Sequence, residues 1–234
     1  TQGVRFETAK LNWIGRVASI TNVTVSWHTS HVKSLAEARA QKLLVGAISP
    51  NSPLTQLPRA LNSVLKTKFE IVPGYADSNA TLLAMERGEV EASTVSWDML
   101  RNQKAEWLRG KKVNLLVQYT LERSRDLPDV PTALEAASSA EEKQVISIYV
   151  SGADVGYAIF GPPGMSGDRV KALRNAFVAM LKDEKLLADV EKLGIAFDPA
   201  PGDKLQDILV SQAKTYPALR DQLKALTVAA EAGP

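Results

Sequence analysis

Residues 43–53 decide the fold, and they read Leu43-Leu44-Val45-Gly46-Ala47-Ile48-Ser49-Pro50-Asn51-Ser52-Pro53. The apolar run that opens this stretch has the length of a buried strand, and the serine- and proline-rich run closes it. Pro53 suits the first position of a helix, with Ser52 as its N-cap. The following turns carry leucines at four-residue spacing, at positions 57, 61 and 65. The stretch therefore predicts a strand, a tight turn and a helix in succession.

The same alternation continues on both sides of this stretch. Further strands are predicted at residues 16–27, 69–72, 90–95 and 113–119, and further helices at 34–40, around 82–85 and at 97–108. Alternating strands and helices with short connections are typical of a mainly parallel α/β sheet. The apolar runs are nearly continuous, which indicates strands covered on both faces.

Beyond residue 120 the pattern changes. Residues 121–132 are polar and contain proline, so we expect a connecting loop. Next come a helix at 133–150, a strand at 155–160, a long helix at 168–182, a helix ending at Leu193 with Gly194 as its C′ residue, a short strand at 195–197 and two helices within 203–226. The long helix carries an apolar stripe at Val170, Leu173, Phe177 and Leu181. The shift to mostly helix near residue 150 predicts a lobe boundary.

Composition excludes several classes of protein. The chain has 234 residues, 45% hydrophobic and 23% charged, with a net charge of +2, which suits one or two compact domains. Basic residues do not cluster, so nucleic acid is not an expected partner. There is no cysteine, which excludes disulfides and thiolate chemistry. The sequence begins at Thr1 rather than Met, and we expect that an N-terminal part has been removed, so a missing signal peptide says little about localisation.

Enzyme motifs are weak in this sequence. His28 and His31 have a spacing that could hold zinc on a helix, but they follow a predicted strand and no third ligand is near, which favours a surface loop. Glu86, Glu89 and Glu91 flank a helix-to-strand turn and are expected to be solvated. The sequence leaves a Ser-His-Asp triad open, but it contains no Gly-x-Ser-x-Gly elbow and no glycine-rich nucleotide loop. We therefore predict no catalytic residue, no metal ligand and no cofactor.

Three polar turns follow successive predicted strands. The first spans Gly46, Ala47, Ser49, Asn51 and Ser52, the second contains Tyr75 and Ser78, and the third contains Ser96. At the first turn, unpaired amides and the positive helix end could bind a carboxylate or phosphate, although an ordinary capped helix has the same pattern. Because the carboxyl ends of parallel strands meet at one edge, convergence of all three turns favours a ligand site made of hydroxyls and amides.

The same residues resemble a known family. The matching stretches are Leu11-Asn12-Trp13-Ile14-Gly15, Val45-Gly46-Ala47, Pro73-Gly74-Tyr75-Ala76-Asp77-Ser78, Ala84-Met85-Glu86-Arg87-Gly88-Glu89-Val90, Val95-Ser96-Trp97, Leu127-Pro128-Asp129-Val130-Pro131-Thr132 and Pro162-Pro163-Gly164. In order and spacing, over nearly the whole chain, they resemble the extracytoplasmic solute receptors of tripartite tricarboxylate transporters, the TctC/Bug family.

The resemblance implies an α/β, two-lobed periplasmic binding protein of the type II kind. Residues 20–125 would form the second lobe, and residues 1–19 and 126–234 the hinge and the C-terminal part of the first lobe. Strand-end loops would bind the ligand through backbone and hydroxyl groups, with Tyr157 where the chain re-enters the first lobe. The N-terminal part of the first lobe, with the family's glycine-rich ligand loop, is missing from this sequence.

The expected function is reversible binding rather than catalysis. The resemblance implies a monomeric periplasmic receptor that captures a small organic anion, a carboxylate, and delivers it to the membrane subunits of a tripartite tricarboxylate system. A ligand-sensing module or a small-molecule enzyme on a similar fold stays open as an alternative. Micromolar binding needs roughly −8 kcal/mol, while a charge-assisted hydrogen bond adds roughly 1.5–3 kcal/mol. With one clamp missing, we expect this chain alone to bind weakly or not at all.

Overall fold

The computed structural model describes residues 7–193, 197–214 and 217. Internal contacts group these residues into two units. Residues 21–153 form the central unit, and residues 7–20 with 154–217 form the flanking unit. Residues 126–153, which the sequence assigns to the first lobe, therefore group with the central unit. The assignment of the two units to the lobes of a ligand cleft stays a prediction.

The elements follow the order that the sequence predicts. The strands are β1 (Asn12–Ala18), β2 (Asn22–Trp27), β3 (Leu43–Gly46), β4 (Phe69–Val72), β5 (Ala92–Ser96), β6 (Val113–Gln118), β7 (Tyr157–Gly161) and β8 (Ala200–Pro201). The helices are α1 (Leu35–Ala40), α2 (Pro53–Leu65), α3 (Ser78–Glu86), α4 (Trp97–Gln103), α5 (Ala105–Arg109), α6 (Ala140–Val155), α7 (Gly167–Met180) and α8 (Glu184–Leu193), with a further helical stretch at 202–214. No helix within the described residues has the length and apolarity needed to cross a membrane.

The central unit holds a five-stranded sheet with the order β4-β3-β5-β2-β6. Strand β3 is parallel to β4 and β5, whereas β2 is antiparallel to β5 and β6. The mainly parallel sheet is confirmed, with β2 running against the other four strands. The sequence could not show this reversal, because the two neighbours of β2 lie far from it along the chain.

Helices cover the sheet of the central unit on both faces. One apolar cluster joins α2 and α6 to the sheet through residues such as Leu61 and Ile146. A second cluster joins α3, α4 and α5 to it through Met85, Leu100 and Trp107. Consecutive residues of a strand point to opposite faces, so β2 and β5 are buried along most of their length. This burial explains their continuous apolar runs.

Two helix predictions in the central unit were wrong at their boundaries. The helix predicted at 97–108 is two helices, because Lys104 leaves the helical conformation with φ −130° and ψ 32°. The helix predicted from residue 133 begins at Ala140, where Ser139 and Glu142 exchange hydrogen bonds as a capping box. Residues 133–136 form a turn instead, and residues 137–139 are not helical.

The flanking unit contains a three-stranded antiparallel sheet with the order β7-β1-β8. Helix α7 packs on β1 through Phe177, and a Cβ atom at Gly15 would lie 2.2 Å from the Phe177 ring. In the predicted stripe on α7, Phe177 is buried, but Leu173 is 44% exposed. The predicted strand at 195–197 and the end of the predicted 203–226 helices fall partly outside the described residues.

Candidate functional site

The first two polar turns leave neighbouring parallel strands at the same edge of the sheet. Gly46, the last residue of β3, lies opposite Val72 of β4 and Ser93 of β5. Pairing continues past the strands, because Ala47 N–H donates to Val72 C=O at 2.9 Å and Gly74 N–H donates to Ile48 C=O at 2.9 Å. The two turns are therefore held side by side by backbone hydrogen bonds.

These turns enclose a surface depression of about 500 Å³. One side is lined by Ile48, Ser49 and Pro50, and the other by Pro73, Gly74, Tyr75 and Ala76. The structure thus brings together Ser49 and Tyr75, two residues predicted as ligand contacts. The prolines and the aliphatic residues of the lining carry no polar side chain, so a polarity pattern could not identify them.

Tyr75 forms one wall of the depression. Its ring packs over Gly46, where an added Cβ atom would lie 3.4 Å from Tyr75 Cε2 and 3.1 Å from Val90 Cγ2. Tyr75 N–H donates to Ala47 C=O at 3.2 Å, which fixes its backbone. The half-buried ring therefore offers an apolar face and a hydroxyl at the sheet edge. Gly46 and Ala47 are buried and contribute through their backbone.

The N-terminus of α2 differs from the prediction. Ser52 occupies the N-cap position, but its side chain accepts no helix amide. Its carbonyl accepts from Thr55 N–H at 2.9 Å and from Gln56 N–H at 3.0 Å, and Pro53 has no N–H. Leu54 N–H is then the amide in the first turn of α2 that finds no acceptor among the described residues. The helix end thus offers a ligand fewer donors than the sequence suggested.

The start of α3 is closed to an anion. Asp77 caps it, with Oδ1 accepting from Ala80 N–H at 2.8 Å, so a carboxylate already occupies the positive helix end. Ser78 is the first helical residue, and its carbonyl accepts from the Thr81 hydroxyl at 2.9 Å. An Asp directly before an apolar helix is a common N-cap signal, so the sequence could have assigned this role to Asp77.

The third turn is not part of the depression. Ser96 ends β5 opposite Asn22, three residues beyond Ser93, and it does not line the depression. The neighbouring Trp97 indole donates to Asp126 at 3.1 Å, and Arg101 donates to the same carboxylate at 2.8 Å. These bonds join the start of α4 to the loop after β6, away from the first two turns.

The remaining predicted contacts lie elsewhere. Asn51 is exposed beside the first turn but does not line the depression. Tyr157 belongs to the flanking unit, where it lies opposite Ala18 at the start of β7 and is 67% exposed.

One histidine and one glutamate of the two clusters bind each other, while Glu86 and Glu89 are exposed as expected. His31 Nδ1 lies 3.1 Å from Glu91 Oε1, and His31 Nε2 lies 3.1 Å from Lys42 C=O. Glu91 also accepts from Ser30 Oγ and from Leu44 N–H, each at 3.2 Å. Across the described part of the chain, His, Cys, Asp and Glu side chains form no group of three suited to a metal ion.

Comparisons with known proteins give matches among solved structures alone. Neither models of known protein families nor curated protein sequences match the chain. A TctC solute-binding protein from Polaromonas, solved without ligand, aligns with a TM-score of 0.68 at 17% identity, covering 94% of this chain and 72% of that one. A periplasmic transporter aligns with a TM-score of 0.55 at 18% identity, covering 95% and 71%. Rpa4515 from R. palustris, solved with adipate, aligns with a TM-score of 0.52 at 17% identity, covering 90% and 68%.

These similarities establish the architecture. All three alignments extend over at least nine-tenths of the chain, so they include both units. The predicted α/β class is confirmed, and the resemblance found in the sequence is confirmed at the level of the fold. The chain therefore has the fold of the periplasmic solute-binding proteins of the TctC type.

Proposed function

We propose that this protein is a periplasmic receptor that captures a small organic carboxylate for a tripartite tricarboxylate-type transporter, without chemical conversion of the ligand. The observation that carries this proposal is the depression of about 500 Å³ at the carboxyl ends of two parallel strands, in a chain with the TctC-type fold. Ligands of open α/β sheets bind at this edge.

The groups at the depression suit an anion that is bound and released. Ser49 and Tyr75 line the depression and carry hydroxyl donors. Leu54 is not a lining residue, but its amide, at the positive end of α2 five residues after Ser49, is a further candidate donor. None of the described residues that line the depression is arginine or lysine, so recognition by a bidentate guanidinium is not part of the proposal. The ring of Tyr75 and the adjacent prolines would contact the hydrocarbon part of the ligand.

The groups at the depression can supply only a limited binding free energy. Three hydrogen bonds to a carboxylate, at roughly 1.5–3 kcal/mol each, must also offset the cost of association, estimated at about 4–15 kcal/mol. We therefore propose that this chain binds its ligand weakly, well above the micromolar range. The similar Polaromonas protein is longer, since the alignment covers 72% of it.

The ligand class and the partners follow from the comparisons as proposals. The similar protein Rpa4515 was solved with adipate, so we propose small dicarboxylates as the first ligands to test. The partners would be the membrane subunits of the transporter, and the receptor would act as a monomer.

A thermal-shift screen tests the proposed function. At a ligand concentration about ten times Kd, mass action adds about 1.4 kcal/mol of stability, which raises the Tm of a chain of this size by about 3–6 °C. Mono-, di- and tricarboxylates and aromatic acids are compared with sugars and amines at equal ionic strength. A shift produced by sugars or amines, with no carboxylate active, would overturn the proposal.

Two variants locate the binding. Ser49→Ala and Tyr75→Phe remove the two hydroxyls and should reduce the carboxylate-induced shift. Ser166→Ala is a matched control, because Ser166 is an exposed N-cap on α7 without a side-chain cap bond, in the flanking unit. Equal loss in the control variant would contradict a site at the depression.

A further inference from the structure

Between residues 7 and 214, the chain passes between the two units twice. The first passage follows Ile20, two residues after β1, and the second follows Ala153, inside the last turn of α6. The segments that reach these points within the flanking unit are residues 18–20 and 154–157, here called the crossing segments. All contacts described below lie within the flanking unit.

The two crossing segments touch each other. Gly156 has φ +52°, and a Cβ atom there would lie 2.2 Å from Ala18 O and 2.8 Å from Ser19 Cα. A side chain at this position would collide with backbone, which cannot move aside as a flexible side chain can. Tyr157 continues the contact as the register partner of Ala18. The backbones of the two segments are therefore in direct contact.

Arg16 reaches both crossing segments from β1. It is 5% exposed, and its guanidinium donates to the carbonyl of Asp154 in the second segment. It also donates to Asp198 twice, to the backbone carbonyl at 3.0 Å and to Oδ2 at 2.6 Å. Ser19, in the first segment, donates to the same Oδ2 at 2.9 Å. Arg16 and Asp198 thus join the two crossing segments through side chains.

Pairing the buried Arg16 guanidinium with a half-exposed carboxylate adds little stability by itself. Removing a guanidinium from water costs free energy that the ion pair only partly restores, and apolar residues of similar volume often stabilise a protein as well. What the pair supplies is fixed geometry, because three donors of one planar group meet three acceptors. The pair contacts both crossing segments, through the Asp154 carbonyl and the Ser19 hydroxyl.

We propose that Arg16 and Asp198 clamp the two crossing segments together and so restrict bending of the chain between the units. This role requires no ligand, so its test is independent of the proposed receptor function. Asp198 is the better residue to change, because its side chain is 51% exposed while that of Arg16 is 6% exposed.

Asp198→Asn removes the negative charge but keeps the shape of the side chain. Ser19→Ala removes the hydroxyl that donates to Asp198 Oδ2 beside Arg16. Lys10→Ala is the matched control, because it breaks the exposed Glu7–Lys10 pair in the same unit, eight residues before the first crossing segment. Arg16→Lys tests the geometry, since one ammonium keeps the charge but lacks the planar fork that meets three acceptors. Loss of one charge-assisted hydrogen bond should speed local opening about tenfold or more.

Two measurements are made on the full chain. Hydrogen exchange should be faster at residues 17–20 and 154–157 in Asp198→Asn, with the Lys10→Ala rates unchanged there. The chain has no cysteine, so Glu86→Cys and Ala172→Cys place one spin label on each unit. The distance distribution should broaden in Asp198→Asn and Arg16→Lys relative to the clamp-intact protein. A distribution of unchanged width in both variants, with folding retained, would overturn the proposal, as would equal broadening in Lys10→Ala.

Discussion

At the scale of single residues, buried hydroxyls and closely packed glycines contribute to the stability of the fold in ways that the sequence does not reveal. Thr24 Oγ1 lies 2.7 Å from both Thr94 Oγ1 and the Tyr119 hydroxyl, and all three residues are fully or almost fully buried. Burial also raises the pKa of the Tyr119 phenol above its ordinary value of 10. No local pattern predicts this cluster, because Thr24 lies on β2, Thr94 on β5 and Tyr119 directly after β6.

Tyr119→Phe should lower the free energy of unfolding by about 1–2 kcal/mol, because the buried Thr24 hydroxyl loses a partner. Urea denaturation measures this change. Tyr157→Phe, at a residue that is 67% exposed, is the control and should stay within about 0.5 kcal/mol of the parent chain. Equal stability of the two variants would contradict a structural role for the cluster.

The glycines make a second prediction at this scale. Gly156→Ala should destabilise the chain by at least about 1–3 kcal/mol, since φ is +52° and the new methyl group meets Ala18 O. Gly152→Ala lies in α6 with nothing within 4 Å and should raise stability by up to about 1 kcal/mol. Thermal unfolding of the two variants measures these changes in stability. A higher Tm in Gly156→Ala would contradict the close contact between the two crossing segments.

At the scale of elements, the sequence predicts order better than boundaries. Hydrophobic periodicity located β3, β4 and α2, and the Ser34 cap of α1 is confirmed by a bond from Glu37 N–H at 3.2 Å. The start of α6 was missed although Ser139 and Glu142 have the spacing of a capping box. The end of α4 could not be predicted, because no glycine or proline marks Lys104.

Capping boxes make stability depend on acid pH. In the described part of the chain, three Ser/Thr and Glu pairs at the spacing of a capping box are joined by a backbone hydrogen bond. Thr132 with Glu135 and Ser139 with Glu142 exchange bonds with each other's backbone amides. Ser34 accepts from Glu37 N–H, and the Glu37 carboxylate accepts from Lys33 N–H. Bonds from backbone amides lower the pKa of each glutamate below its ordinary value of 4.5. A lowered pKa in the folded state means that the stabilisation is present above about pH 4.5 and is lost as the pH falls through the lowered values.

Glu135→Gln should therefore reduce the difference in urea midpoint between pH 7 and pH 3. Its carboxylate also accepts from Arg123, which adds to the pKa shift. Glu86→Gln is the control, at an exposed residue for which the described part of the chain shows no hydrogen bond. A pH dependence that is the same in Glu135→Gln as in the parent chain would contradict this assignment.

At the scale of the whole molecule, the fold could be predicted and the candidate site could be predicted in part. Parallel neighbours place the turns after β3 and β4 together, which brings Ser49 and Tyr75 to one depression. Ser96 fails to join them because β5 runs three residues beyond the level of Gly46. Strand length and sheet order are set by tertiary pairing, so local patterns could not supply them.

Charge at the depression gives a prediction for binding. Asp77 directly follows the lining residue Ala76, and its carboxylate should repel a bound anion. Asp77→Asn keeps an equally good N-cap and should strengthen carboxylate binding by about two- to fivefold at low salt. Titrations at low and high salt measure this gain, which should shrink as salt rises. Weaker binding in Asp77→Asn would contradict an anion at this position.

The most direct test of carboxylate binding at the strand-end depression is a titration of the ¹⁵N-labelled chain with adipate, followed by NMR. Weak binding is visible by this method, and 1,6-hexanediol serves as the uncharged match in length. With adipate, we expect saturable shifts concentrated at the amides of lining residues such as Ser49 and Tyr75, and with the diol we expect none. Equal shifts with both compounds, or adipate shifts confined to residues outside the depression, would contradict it.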